Sequence, residues 1–289
     1  MLGQFIINGI ITGILYSLLA IGFALVYNTT KLFHIVAAAI YMFSAFMFYL
    51  FAVTLGLPVL VAAFVAILLT MGLSLLTDVS VYRPLIKRKA SNSVILIASI
   101  GMMIIIVNLL VMFFGTGEKL IESTICSSFS IGNLNISIPQ LWQLVVGVSV
   151  IIVFLLLIGV TNWGARLSVL SEEGNLNENS GDNMSNIRTI VFLLSGVFIA
   201  ISACLSLCDI GFSPYTGIEV FYTAIVAMFI GGVGRYGTCV LGGIIMGGVQ
   251  AVTSYYLSAS WNNAVTFILL LIILFLRPQG IAGNKKQTV

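Results

Sequence analysis

Long apolar stretches separated by short polar segments dominate the sequence. Nine can be delimited, at residues 3–27, 32–54, 57–78, 93–115, 141–163, 189–212, 220–234, 237–257 and 261–277. A helix needs about 20 apolar residues to cross the hydrocarbon core of a bilayer. The alternating ten-residue strands of a membrane barrel are absent from the sequence. The pattern therefore predicts an all-α, polytopic transmembrane helical bundle of about nine spans, with a range of eight to ten. The stretch at 220–234 is short and rich in glycine, so whether it crosses fully or is re-entrant stays open.

The composition excludes a soluble globular domain. Of the 289 residues, 60% are hydrophobic and 7% are charged, and the mean hydropathy is +1.17. Soluble domains contain about 25% charged residues. Lipid is therefore the expected solvent for most of the surface, and the whole chain, 1–289, is interpreted as a single transmembrane domain. The net charge of +3 does not indicate a nucleic-acid partner, because the basic residues lie between apolar stretches, where they act as orientation signals.

The positions of these basic residues predict the orientation. With the N-terminus outside, eleven of the twelve Lys and Arg residues fall in cytoplasmic segments, and Lys119 alone lies outside. Cytoplasmic loops of membrane proteins carry such an excess of Lys and Arg. We therefore predict an N-out, C-in topology. In that topology 79–92 is the first cytoplasmic loop, 116–140 is an external loop, and 164–188 is the longest cytoplasmic connection.

The sequence lacks the groups that would let the chain do chemical work unaided. All nine acidic residues lie in loops or within a turn or two of a span end, whereas proton- and sodium-coupled carriers usually place ionisable groups within spans. There is no phosphate-binding loop and no cluster with metal-ligand spacing. We expect a protein that is not an enzyme and binds no cofactor, and whose energy, if it pumps a solute, comes from another subunit.

The connection at 164–188 is far longer than the other cytoplasmic segments. It has 25 residues, and its first half can form about two turns of helix before Gly174 and Gly181 interrupt the pattern. Acidic residues, among them Glu172 and Glu173, cluster between two arginines. A short helix across the cytoplasmic face would suit a mechanical coupling element, while the alternative is a solvated acidic loop with no partner.

Four motifs occur along the chain: GARLSVLSEE at 164–173 followed by Gly181, VYRPL at 81–85, GGVGRYG at 231–237 with LGG at 241–243, and LRPQG at 276–280. Together they resemble the motifs of one family of transporters, the ABC importer permeases of the branched-chain amino-acid class. They occur in the order and spacing typical of the family, so the resemblance extends over essentially the whole chain.

The resemblance implies a multi-pass permease of a bacterial plasma membrane. Its expected partners are a second homologous permease, two cytoplasmic ATPases that bind ATP and Mg, an external substrate-binding protein and membrane lipid. The coupling segment of the family corresponds here to Arg166, Ser171, Glu172, Glu173 and Gly181. The implied cargo is a branched-chain or other hydrophobic amino acid, or a small amide such as urea.

The second span departs from the family pattern. Members usually carry a stretch of the type NFAHGEFYM at its start, whereas this chain has HIVAAAIYM at 34–42, in which only Tyr41 and Met42 match. The change removes a histidine and an acid that could bond a substrate. The substrate, and the division of work between the two permeases, therefore stay open.

Polar side chains within the spans are the candidate pathway. Asn8, Thr12 and Tyr16 share one helix face, because they are spaced by four residues. The other candidates are His34, Tyr41 and Asn108. The alternative for the in-span polar groups is interhelical hydrogen bonding, worth about 0.6 kcal/mol per bond in a membrane protein. For His34 the alternative is a structural histidine at the membrane interface.

Glycines in two spans predict close helix packing. Gly9 and Gly13 form one G-x-x-x-G pair, and Gly243 and Gly247 form another. Small residues let helix backbones approach closely in lipid.

Three functions remain compatible with the sequence. The first is an ATP-driven importer subunit that works by alternating access. The second is a passive channel or facilitator for a small neutral solute such as urea, which would need no ATPase. The third is a non-transporting scaffold partner of a second permease.

Overall fold

The computed structural model describes residues 2–119, 128–131, 134–161, 182–209, 211–232, 234 and 236–276. In these residues the elements, in chain order, are α1 (Leu2–Thr30), α2 (Ala37–Tyr49), α3 (Val59–Thr77), α4 (Arg83–Lys87), α5 (Asn92–Phe114), β1 (Ser128–Ile131), β2 (Leu134–Ser137), α6 (Ile138–Val160), α7 (Asp182–Leu207), α8 (Thr216–Gly231), α9 (Tyr236–Tyr256) and α10 (Asn262–Leu276). Turns of π-helix at Leu50–Thr54 and Asp78–Tyr82 extend α2 and α3, and a 3₁₀ turn at Ala259–Trp261 precedes α10.

The prediction of an all-α membrane bundle is confirmed. Within the described ranges, seven helices are long and apolar enough to cross a membrane, and two further apolar helices, at Thr216–Gly231 and Ala259–Ile273, are shorter. Each apolar stretch of the sequence overlaps one of these nine helices. The 16-residue α8 is about 24 Å long, less than the thickness of the hydrocarbon core. The number of crossings and the orientation stay predictions.

Helix α1 occupies the centre of the bundle. It packs most extensively against α9 and also contacts α6, α7 and α8. Side chains such as Leu18 and Phe23 are fully buried, although α1 lies at the start of the chain. By contrast, α3, α5 and α6 leave large apolar side chains exposed, among them Phe64, Phe113 and Val160. A helix that is apolar all round can be half exposed only where lipid replaces water, so these faces are the expected lipid contacts.

The predicted loop at 79–92 is largely helical. The π turn and α4 continue the third span to Lys87, and Ser91 then caps α5 by accepting a bond from the backbone N–H of Val94 at 3.4 Å. Pro84 of the VYRPL motif lies in the first turn of α4, where its missing N–H does no harm.

The start of α6 also differs from the prediction. The apolar stretch begins at residue 141, but the helix begins at Ile138, inside the loop predicted at 116–140. Ser137 and Gln140 form a capping box, in which each side chain bonds the other residue's backbone N–H, at 3.3 and 3.2 Å. These polar residues belong to the helix start rather than to the loop. The antiparallel hairpin of β1 and β2 fills part of the predicted loop.

Contacts between distant segments define the two ends of the bundle. At the hairpin end, Gln4 bonds the backbone of Asn135 in β2, and the backbones of Lys119 and Phe212 pair with each other. At the opposite end, the side-chain oxygen of Asn28 accepts a bond from the N–H of Gly234 at 3.2 Å. Among the described basic residues, Lys119 lies at the hairpin end, and the opposite end carries Lys31, Arg83, Lys87, Arg88, Lys89 and Arg188.

Candidate functional site

A cavity of about 420 Å³ opens at the hairpin end of the bundle. It lies between α1, α9, the starts of α6 and α10, and the residues that follow α7. The lining residues are Phe5, Asn8, Gly9, Ile11, Thr12, Tyr16, Gln140, Asp209, Gly247, Gln250, Ala251, Ser254 and Asn262. Hydroxyl and amide groups make up most of its polar surface, so it can accept and donate hydrogen bonds to a small polar ligand.

The predicted polar face of α1 forms one wall of this cavity. Asn8, Thr12 and Tyr16 all line it. The Thr12 hydroxyl donates to the backbone oxygen of Asn8 at 2.7 Å, which leaves its lone pairs available to a ligand. Gln4 donates to the side-chain oxygen of Asn8 at 3.3 Å and also bonds the hairpin. The hairpin therefore fixes the start of this wall.

A network of hydrogen bonds forms the floor of the cavity. Tyr16 donates its hydroxyl to the side-chain oxygen of Gln250 at 2.7 Å. The amide nitrogen of Gln250 donates to Thr223 on α8 at 3.2 Å and to Thr266 on α10 at 3.3 Å. The side chain of Gln250 thus connects α1, α8, α9 and α10. It also provides hydrogen-bond partners for polar groups that lipid could not satisfy.

Asp209 is the only charged side chain among the described residues that line the cavity. One carboxylate oxygen accepts from the hydroxyl of Ser137 at 3.2 Å and the other from the amide of Gln140 at 3.3 Å. Both donors are neutral, so these bonds leave the negative charge of the carboxylate uncompensated. A cationic group of a ligand would be attracted to this position.

A smaller cavity of about 80 Å³ lies on the other side of Thr12 and Tyr16, which line both cavities. Most of its walls are apolar, from Leu15, Ala45, Ala203, Leu207, Phe212 and Val220. Tyr41, predicted as a pathway residue, lines this second cavity together with Ser206. The structure therefore places a polar and an apolar cavity side by side, separated by one face of α1.

The two predicted G-x-x-x-G pairs face each other between α1 and α9. A Cβ atom added to Gly9 would lie 2.9 Å from the carbonyl oxygen of Gly247, and one added to Gly13 would lie 3.0 Å from that of Gly243. One added to Gly247 would collide with the carbonyl oxygen of Gly9. Both backbones thus occupy the space that side chains would need, and this contact holds together two walls of the larger cavity.

An ion cluster lies at the end opposite the hairpin. The fully buried carboxylate of Asp78 accepts from Nε of Arg83 at 2.7 Å, through one oxygen, and from Nε of Arg188 at 2.7 Å, through the other. Arg188 Nη2 is also 2.6 Å from that second oxygen. Arg83 further donates to the hydroxyl of Thr189 at 2.6 Å. The cluster joins the end of α3 and α4 to the start of α7.

Comparison with known proteins assigns the fold and the family. The sequence profile of a family described as "Branched-chain amino acid transport system / permease component" matches residues 5–274 of the chain. The chain belongs to this permease family. It is 28% identical to the high-affinity branched-chain amino acid transport system permease protein BraD of Pseudomonas aeruginosa, over 97% of this chain and 95% of the relative. It is 26% identical to the corresponding LivH protein of Escherichia coli, over the same shares of the two chains.

A solved structure supports the architecture. A chain of PsaBC from Streptococcus pneumoniae, solved in complex with Fab, matches with a TM-score of 0.52 and 13% identity, over 94% of this chain and 91% of the other. That likeness is one of fold alone. The family match and the apolar helices make the protein a permease subunit of an ABC importer and a multi-pass protein of the plasma membrane.

Two predicted pathway residues of this permease lie away from the cavities. Asn108 is exposed on the outer face of α5 and donates to the backbone oxygen of Ile104, four residues earlier, at 2.8 Å. His34 is buried in the turn between α1 and α2, with Nδ1 2.9 Å from the hydroxyl of Tyr82. A polar side chain within an apolar stretch can form its hydrogen bonds with the backbone of its own helix or with another buried side chain. The sequence alone therefore did not separate these two residues from those that line the cavity.

Other functional residues were missed from the sequence. Asp209 was interpreted only as an acid near a span end, and Gln250 was given no role. A signal for Gln250 was present, because it lies three residues after Gly247 and therefore on the packing face of α9. The predicted coupling residues Arg166, Ser171, Glu172, Glu173 and Gly181 lie outside the described residues.

The burial of His34 predicts a pH-dependent stability. Burial lowers the pKa of His34 from 6.5 to about 3, so the folded permease excludes a proton that the unfolded chain binds. The neutral histidine therefore contributes to the free energy of unfolding fully above pH 6.5. This contribution is lost progressively as the pH falls from 6.5 towards 3. Between pH 7 and pH 5 we expect the free energy of unfolding to fall by about 2 kcal/mol, measured by thermal unfolding in detergent. In His34→Gln this loss should disappear; an equal loss in that variant would assign it to other groups.

Proposed function

We propose that this permease moves a branched-chain or other hydrophobic amino acid into the cell. The observation that carries the proposal is the pair of adjoining cavities at the hairpin end. A zwitterionic amino acid needs an acceptor for its ammonium group, donors for its carboxylate and an apolar surface for its side chain. Asp209 supplies the first, the amides and hydroxyls of the larger cavity supply the second, and the smaller cavity supplies the third.

The names of the relatives support the same cargo. BraD of Pseudomonas aeruginosa and LivH of Escherichia coli are both named for high-affinity transport of branched-chain amino acids. In the predicted orientation the hairpin end faces outwards, so an external binding protein would deliver the amino acid directly to the cavity. We place ATP and Mg on two cytoplasmic ATPase subunits that bind the 164–188 connection, and a second homologous permease beside this chain.

Uptake of leucine tests the proposal. The tagged permease, purified with its ATPases and reconstituted in vesicles, should take up radiolabelled leucine only when ATP and the loaded binding protein are present. Asp209→Asn should lower this uptake about tenfold or more, because a bond between opposite charges contributes about 1.5–3 kcal/mol. Glu118→Gln is the matched control, since Glu118 is an exposed acid at the same end of the bundle.

The outcomes separate the candidate functions. Leucine uptake that needs no ATP would identify a facilitator rather than an importer. Uptake by the partner permease alone would reduce this chain to a scaffold. If ATP-driven uptake of leucine is present but Asp209→Asn leaves it unchanged, the importer stands and the assignment of Asp209 to the ammonium group is wrong.

A further inference from the structure

The ion cluster of Asp78, Arg83 and Arg188 has features beyond those of an ordinary surface ion pair. The carboxylate is fully buried, and the side chains of Arg83 and Arg188 are 27% and 9% exposed. The guanidinium of Arg188 also lies over the ring of Phe192, 5.6 Å from its centroid. Each carboxylate oxygen is bonded to a different helix, so displacing either arginine would leave one buried carboxylate oxygen without its partner.

A π-helical turn creates the cluster. Asp78 and Arg83 are five residues apart, and in an α-helix neighbours on one face are three or four residues apart. The turn at Asp78–Tyr82 has the wider i to i+5 bonding, and the N–H of Arg83 donates to the backbone oxygen of Asp78. This spacing brings the two side chains together. π turns inside helices occur frequently at functional sites.

The cluster stands where the 164–188 connection enters the membrane bundle. Arg188 is the last residue of that connection and lies in the second turn of α7. Next to it, the Ser74 hydroxyl of α3 donates to the backbone oxygen of Phe192 at 2.7 Å. A Cβ atom on Gly196 would lie 3.1 Å from the Cα of Met71. The first half of α7 and the end of α3 are thus tightly packed together. The ion cluster lies at the end of this helix contact, where α3 ends and α7 begins.

The far end of α7 reaches the cavity. Ser202 donates to the backbone oxygen of Leu15 on α1 at 2.9 Å, and the backbone oxygen of Leu205 accepts from Gln143 on α6 at 2.9 Å. Asp209 follows two residues after the helix ends. A displacement of α7 at the cluster would therefore move two walls of the cavity and the carboxylate inside it.

We infer that the ion cluster is a mechanical joint that transmits movement of the 164–188 connection into α3 and α7, and through α7 to the cavity. This inference rests on the proposed function, in which ATPases bind that connection. Its residues are positioning residues: they contact neither the amino acid nor ATP. Their loss should uncouple the cavity from the ATPases while binding and hydrolysis of ATP continue.

A cysteine reporter in the cavity tests the joint without requiring knowledge of the cargo. Ser254→Cys is introduced into the chain, and the complex with its ATPases is purified in detergent. Labelling of this cysteine by a maleimide is measured with and without ATP plus vanadate, against the same chain without the reporter. In the parent we expect trapping of the nucleotide to change the labelling rate about fivefold or more, the usual lower limit of coupling between two sites.

Arg188→Gln is the test variant and Arg88→Gln is its matched control, because Arg88 is exposed at the same end of the bundle. Both should retain the ATPases through size-exclusion chromatography and hydrolyse ATP at the parent's rate. The labelling change should be preserved in Arg88→Gln and fall below about twofold in Arg188→Gln. Arg188→Lys, which keeps the charge but not the fork of donors, should recover only part of the change.

The result distinguishes this inference from the proposed function. If the parent binds no ATPase, or its labelling does not respond to nucleotide, the proposed function fails and the joint fails with it. If the parent responds and both Arg188 variants respond equally, only the joint is overturned. Should Arg188→Gln yield too little folded complex, Arg188→Lys decides: a full response in it overturns the joint, and a reduced response with normal hydrolysis supports it.

Discussion

Replacing Gly247 by alanine should destabilise the permease by about 3 kcal/mol, the upper part of the range for inserting atoms into a packed core. The added Cβ would collide with the carbonyl oxygen of Gly9 and lie 2.6 Å from the Cα of Gly13. These are backbone atoms of the central helix, which cannot rotate aside as a side chain can. Helices α1 and α9 would have to separate, and the hydrogen bond between Tyr16 and Gln250 would be strained. Thermal unfolding of the purified chain in detergent measures the effect.

The neighbouring glycine provides the control. A Cβ atom on Gly248 would meet nothing within 4 Å, although it stands one position along the same helix. Gly248→Ala should therefore be neutral or stabilising by up to about 1 kcal/mol, since alanine favours the helix over glycine. Equal losses in the two variants would show that helix packing at Gly247 is not the cause.

Replacing Asp78 by alanine should have the second large effect. It leaves two guanidinium groups at a buried position without their shared carboxylate, and breaking a buried ion pair in this way costs about 3–5 kcal/mol. Glu118→Ala removes an exposed acid and should change stability by less than about 0.5 kcal/mol. Unfolding of both variants by heat, monitored in the same detergent, checks the difference. A loss for Asp78→Ala no larger than that of the control would mean that lipid headgroups or water replace the carboxylate.

A triple variant separates stability from coupling. Buried ion clusters can often be replaced by apolar residues of similar volume without loss of stability. Asp78→Leu combined with Arg83→Met and Arg188→Met should therefore unfold within about 1 kcal/mol of the parent. If the cluster is a joint, this stable chain should still fail to transmit nucleotide trapping to the cavity. A normal response would leave the cluster a purely structural role.

Hydrophobic patterning alone predicted the helical bundle, because about 20 consecutive apolar residues have few other solutions in a bilayer. The hydrophobic pattern did not predict the helix ends correctly, because the residues that cap a helix are polar and resemble loop residues. Ser137 and Gln140 appear as loop residues in a hydropathy pattern, yet they begin α6. Likewise, Pro84 and the polar residues around it led to the prediction of a loop where the structure has the π turn and α4. The local periodicity of the sequence does not distinguish a π turn from a loop.

The candidate site was predictable only where it followed helical spacing. The stripe of Asn8, Thr12 and Tyr16 was found because its residues repeat every four positions. Asp209 and Asn262 join the same cavity from segments far away in the chain, and only the fold brings them there. The glycine pairs were identified separately, but the sequence could not show that they pack against each other.

The position of α1 in the middle of the bundle has a consequence for biosynthesis. Tyr16 forms a hydrogen bond with Gln250 of α9, 234 positions later in the chain. Gly9 and Gly13 pack against the same helix. At about 5–20 residues per second, the ribosome needs roughly 10–50 s to synthesise that interval. Helix α1 therefore enters the membrane long before α9 has been synthesised. During this interval its polar side chains and the glycine backbone that will contact α9 face lipid or the insertion machinery. Nascent chains cut short before α9 should be substrates for membrane proteases, because the main packing partner of α1 is absent until α9 has been synthesised.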